Sequence, residues 1–212
     1  MLDWSVIASM ATATGTLALA IATFFSIRSA NHAARVAERT LLVGLRPVLM
    51  PSRAEDRAED VLFGDDHSLS VRGGLAVVEE VGGRYYLAIS LRNVGAGLAV
   101  LRGWHVSDGR ARLKHDHPDV AAARRQQRDL YVGAGDIGYW QGAVRDEDDP
   151  FLRTVRQSVA EGTPLTVDLL YGDHEGGQRT VSRFVLYHRE KGGSEWRSEV
   201  TRHWHLEGPS PR

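Results

Sequence analysis

The chain has 212 residues, a formal net charge of −1 and no cysteine. Near-neutral charge argues against a basic nucleic-acid-binding face, and the missing thiols exclude disulfides, thiolate metal sites and cysteine nucleophiles. Arginine outnumbers lysine 24 to 2, a bias that GC-rich bacterial coding produces.

Trp4 to Ile27 is a run of 24 residues without a charge. At ~1.5 Å per residue a helix of this length crosses a bilayer core of about 30 Å. Ser5, Ser9, Thr12, Thr14, Thr16, Thr23 and Ser26 dilute the run, but hydroxyls bond back to helix carbonyls and are tolerated in lipid. Met1-Leu2-Asp3 has no basic side chain and no polar cleavage region follows the run, so a cleaved secretory signal is not expected. Arg28, Arg35, Arg39 and Arg46 follow the run and no Lys or Arg precedes it. Basic flanks stay in the cytoplasm. The expectation is a single-pass protein of the bacterial inner membrane, with a short N-terminus outside (span 1–27) and residues 28–212 cytoplasmic.

At 100° per residue the span sorts by size. Ala8, Ala11, Gly15, Ala18 and Ala22 fall in one arc, with Ser5, Ser9, Thr12, Thr16 and Thr23 beside it. Val6, Met10, Leu17, Ile21 and Phe24 fall opposite, and Leu19 is the exception, a large residue near the border of the two small arcs. Small residues let helix backbones approach, so the small side is expected to pack on another transmembrane helix, from a second copy or a partner protein, while the bulky side faces lipid.

Residues 28–46 read as a helical basic stalk. Arg46-Pro47 stops it, because a residue before proline avoids the helical region. Residues 47–74, with Ser52 to Asp60 alternating acids and arginines, read as a linker or surface loop. From Leu75 the period becomes two. Leu75–Val81 and Arg84–Arg92 are predicted strands around a Gly82-Gly83 turn. Leu98–Ser107 and Arg110–Lys114 are predicted to follow. Pro118–Arg128 has helical composition. Leu130–Val132 and Ile137–Val144 read as short strands. Pro150–Ala160 reads as a helix, with Asp149 as N-cap. Thr163–Tyr171, Arg179–Arg189 and Glu195–Leu206 complete the pattern. The expected fold is mainly β, an antiparallel β-sandwich of Ig-like architecture over residues 75–207, with short helical inserts and a disordered tail at 208–212.

The order of one span, a basic stalk ending in Arg46-Pro47, Asn93-x-Gly95-x-Gly97-x-Ala99, and Leu169-Leu170-Tyr171-Gly172-Asp173 before a hairpin resembles uncharacterised bacterial single-pass membrane proteins with a small cytoplasmic β-sandwich. The resemblance implies a fold and a location and carries no activity.

Few residues point to chemistry. His115-x-His117 and His203-x-His205 each put two imidazoles on one side of a strand, the spacing of a metal ligand pair. His203 and His205, with His174 or Asp173 in the preceding turn, are the candidate ligands for zinc or another divalent metal. Asn93-x-Gly95-x-Gly97 precedes a strand rather than a helix, so it lacks the dinucleotide fingerprint's context and reads as a tight turn with Asn93 holding its own backbone. The run Asp146–Asp149 lacks the alternate spacing of a Ca²⁺ loop. Trp104, Trp140, Trp196 and Trp204 read as core or rim packing. The expected function is a membrane-anchored binding or scaffold module with no identified catalytic residue and no cofactor. A metal-dependent enzyme using the histidine pairs, or an accessory subunit of a membrane complex, is the alternative.

Overall fold

A computed structural model describes residues 3–109, 118–190 and 192–206. His115, His117, the predicted Arg110–Lys114 strand and the 208–212 tail lie outside the described residues. The chain divides into two units, Met1–Gly44 and Leu45–Arg212.

The first unit is one helix, α1 (Trp4–Gly44), of 41 residues. It is long and apolar enough to cross a membrane, and none of its span is buried. The hydroxyls of Thr12, Thr14, Thr16 and Thr23 each donate to the carbonyl four residues back, at 2.8–2.9 Å. Span and stalk are thus one uninterrupted helix.

The second unit is mainly antiparallel β. Its strands are β1 (Leu49–Pro51), β2 (Glu59–Leu62), β3 (Ser68–Val71), β4 (Leu75–Val81), β5 (Arg84–Asn93), β6 (Ala99–Asp108), β7 (Arg124–Val132), β8 (Ile137–Val144), β9 (Leu165–Gly172), β10 (Thr180–His188) and β11 (Glu195–His205). One helix, α2 (Leu152–Glu161), interrupts them. Gly82 and Gly83, at φ 59° and 79°, make the two-residue turn between β4 and β5. Both positions need a positive φ that only glycine takes without penalty.

Nine strands form one continuous sheet in the order β1-β5-β4-β11-β10-β9-β6-β7, with β8 also on β5. Residues 85–89 of β5 pair with both β4 and β8, so those two strands occupy opposite edges of β5. The sheet is a curled half-barrel, where two facing sheets were expected. Its concave face holds the core, in which Leu87, Ile89, Leu101, Trp104, Trp140, Leu169, Phe184 and Trp196 meet Leu152 and Val155 of α2.

Residues 47–74 are not a linker. They contain β1 and the β2–β3 hairpin, which lays Val61, Phe63, Leu69 and Val71 on Val77, Tyr86 and Ala88 of the convex face. The β domain therefore begins before residue 75. The helix expected at Pro118–Arg128 is absent. From Arg124 the chain is strand β7, and Arg124 stacks on Trp104 and Phe151 while bonding Asp149 at 2.6 Å. Tertiary contacts here override a helix-favouring composition. Helix α2 starts at Leu152, two residues later than expected, because Asp149 caps the preceding turn by accepting the Phe151 amide at 2.9 Å.

Candidate functional site

Two places stand out, the junction where the chain enters the β domain and an open seam in the sheet. At the junction the Asn93 loop grips residues 45–48. The buried Asn93 amide uses all four of its hydrogen-bonding positions. Oδ1 accepts Val48 N–H (3.1 Å) and Gly95 N–H (3.0 Å), and Nδ2 donates to the carbonyls of Gly97 (2.6 Å) and Val132 (3.1 Å). A Cβ on Gly95 would overlap the Arg46 carbonyl, and one on Gly97 would overlap the Leu45 carbonyl. The glycines are thus a close-approach surface for backbone. The expected tight turn is there, and it holds a second chain segment besides its own.

The second motif of the resemblance meets the same segment. Tyr171 is fully buried, and its hydroxyl accepts Leu49 N–H at 3.1 Å. That hydroxyl lies 2.8 Å from Ser182 Oγ, which lies 2.6 Å from His203 Nδ1. His205 Nδ1 is 3.3 Å from Thr180 Oγ1, and Arg46 Nε donates to Gln178 Oε1 at 3.2 Å. Burial, then the neighbouring His205, pushes His203 below the usual imidazole range; burial, then Arg46, does the same to His205. Both effects favour neutral rings.

His203 and His205 share one side of β11, as expected, and face the hydroxyls of β10. Exposed His174 sits in the β9–β10 turn, 4.0 Å from Glu175. Among the described residues no three His, Asp or Glu side chains are placed to share a metal ion, so His174 does not join the pair. Ser182 beside His203 has no route to a substrate, since its side chain is fully buried. Trp104, Trp140, Trp196 and Trp204 are all buried.

The seam lies between β7 and β8. These strands run alongside each other without a backbone ladder. Side chains bridge them instead: Gln126 Nε2 donates to the Gln141 carbonyl at 3.0 Å, and Arg124 Nη1 to the Ala143 carbonyl at 3.2 Å. Over the seam the β2–β3 tip, including Phe63, Gly64 and Asp65, closes a groove of about 640 Å³ whose floor includes Trp104 and Gly142. Arg145 pairs with Asp65, which also accepts the Tyr86 hydroxyl at 2.7 Å, and these bonds hold the Asp65 carboxyl well below the usual range. The amide oxygens of Gln126 and Gln141 are buried there without a hydrogen-bond partner. No sequence signal marked this groove, because its walls come from three separate parts of the chain.

Fold and sites together define a mainly β domain carried on a long apolar N-terminal helix. No family model and no curated protein matches the chain. A solved structure described as a crystal structure of a protein from Archaeoglobus fulgidus is similar at 12% identity, covering 64% of this chain and 97% of that one, with a TM-score of 0.25. A likeness this distant carries no functional argument.

Proposed function

We propose that this is a single-pass protein of the bacterial inner membrane whose β domain works in the cytoplasm as a binding module. One observation carries the reading. The uncharged stretch of α1 leaves its large side chains bare, Met10 at 68% and Leu19 at 72% exposure, with no protein core over them. Apolar surface on that scale is stable in lipid, where a helix satisfies its own backbone. The arginines of the stalk support the cytoplasmic orientation. The curled sheet, folded across one core, plays the part that two facing sheets play in an Ig-like sandwich. The side Ala8, Ala11, Gly15, Ala18, Ala22 serves a second transmembrane helix. The His203 and His205 rings are engaged in the junction network, which favours binding over a metal-dependent enzyme.

The test is topology. A C-terminally tagged chain expressed in bacteria is expected to stay in the membrane pellet after alkaline carbonate extraction. In intact spheroplasts the tag is expected to resist added protease and to be digested once they are lysed. Release by carbonate, or digestion before lysis, would overturn the reading.

A further inference from the structure

We infer that the seam between β7 and β8 accepts an extended peptide segment carrying an acidic residue, which adds to the outer edge of β8. The inference rests on the reading of the β domain as a binding module and names what it binds.

The carbonyls of Gln141 and Ala143 point away from β5, since side chains of β7 reach them. In an antiparallel strand the N–H and C=O of one residue point the same way. The amides of Gln141 and Ala143 therefore also face the seam, so β8 presents alternating donors and acceptors there. Opposite lies a second stretch of backbone outside the ladder. Leu101 pairs with Leu130 and Gly103 with Arg125, so Gln126–Asp129 bulge against Arg102 alone. An edge of this kind is a template for an added strand. Sheets usually guard such edges with charge or proline. Here Gln126 and Arg124 hold the place of the absent strand.

The groove has room for a short extended segment, being within the size range of peptide and ligand sites. Its polar groups call for backbone. The Gln126 and Gln141 amide oxygens need N–H donors, and a segment that takes over the Gln141 carbonyl releases Gln126. Arg128 places the acidic residue. Among the lining charges Arg124 is matched by Asp149 and Arg145 by Asp65, while Asp66 on the β2–β3 tip and Arg128 on β7 have no ion pair among the described residues; Arg128, which reaches the Leu62 carbonyl at 3.5 Å, is the one on a strand that borders the seam.

The probe is a phage library of random heptapeptides, panned against the full chain in detergent micelles. Enriched peptides are expected to carry an acidic residue and to slow hydrogen exchange at the Gln141 and Ala143 amides. Ala143→Pro removes a seam-facing N–H while sparing the β5 ladder, and is expected to weaken binding at least tenfold. Arg128→Glu is expected to weaken it several-fold, and Gln126→Ala to leave it equal or tighter. If Ala143→Pro does not fold, as judged by its thermal melt, the exchange data and Arg128→Glu decide. No enrichment, peptides that leave those amides exchanging freely, or binding indifferent to Ala143→Pro and Arg128→Glu would overturn the inference. Because the assay is in micelles, its failure leaves the membrane topology untouched, and a failed topology test leaves the seam untouched.

Discussion

Tyr171 of β9 bonds the Leu49 amide of β1 across the inside of the half-barrel. β1 shares with β4 the edge of β5 opposite β8 and lies against β11, so the bond reaches past β11 and β10 to join the start of the domain to β9. It also fixes the start of the domain, just after the stalk, from within the core. Removing the hydroxyl strands a buried N–H and deprives Ser182 of its neighbour. Tyr171→Phe is therefore expected to lower stability by about 2 kcal/mol. For a domain of this size that is a fall in Tm of about 4–8 °C, read by differential scanning calorimetry on the 45–212 fragment.

The glycines of the Asn93 loop make a sharper prediction. Gly97→Ala puts a methyl into the Leu45 carbonyl, where the obstacle is backbone and cannot rotate away. Residues 45–48 must then lift off. The expected result is faster hydrogen exchange at the Val48 and Leu49 amides and a loss of about 3 kcal/mol. Gly64→Ala, with nothing within 4 Å of the added methyl, is the control and is expected to be near neutral.

Asp168 and Arg183 form a buried two-bond pair between β9 and β10, with both contacts at 2.7 Å and the guanidinium 4.7 Å over Trp204. Removing one partner leaves the other charge buried. Asp168→Leu and Arg183→Met are each expected to destabilise by about 3–5 kcal/mol. The double variant is expected to lose less than the sum, and a denaturant-based double-mutant cycle reads the coupling.

Stability is expected to fall with acid before any carboxylate titrates. His203 and His205 have folded pKa values below the unfolded value of about 6.5, so below that pH the unfolded chain takes up protons first. Unfolding then gains protons, and stability drops as pH falls from about 6.5 toward the folded values. Asp56 and Asp65, lowered by Arg92 and Arg145, add a separate loss below about pH 4. Urea melts at pH 7.5 and 5.5 are expected to show the histidine effect, and His203→Asn to reduce it.

For the proposed contact with a second transmembrane helix, Gly15→Leu places a large side chain at the centre of the small side of α1. It is expected to abolish detergent-resistant association of the full chain, measured by crosslinking in micelles, while Leu17→Ala on the opposite side leaves it intact.

The local features were legible. A charge-free run announces a helix fit for lipid, because length and hydropathy are properties of one segment. Gly82-Gly83 announces a hairpin, and period two announces the strands on either side. Misreadings arose where partners are remote. The alternation Val61, Phe63, Leu69, Val71 is present in the sequence, but acids and arginines obscure it until Tyr86 and Ala88 supply the surface it covers. Arg124–Arg128 reads as helix until Trp104, Phe151 and Asp149 claim Arg124. The motif Asn93-x-Gly95-x-Gly97 was visible, but its purpose lies 45 residues away at Val48.

What the sequence alone determined is the division of this chain into an apolar helix and a β domain, since hydrophobic length, turn glycines and strand period act between near neighbours. Only the tertiary structure decided that the strands curl into one sheet, that the glycine loop and Tyr171 grip the segment after the stalk, and that β7 and β8 leave a seam. Those outcomes depend on which distant residues pair, and pairing is settled by packing over the whole domain.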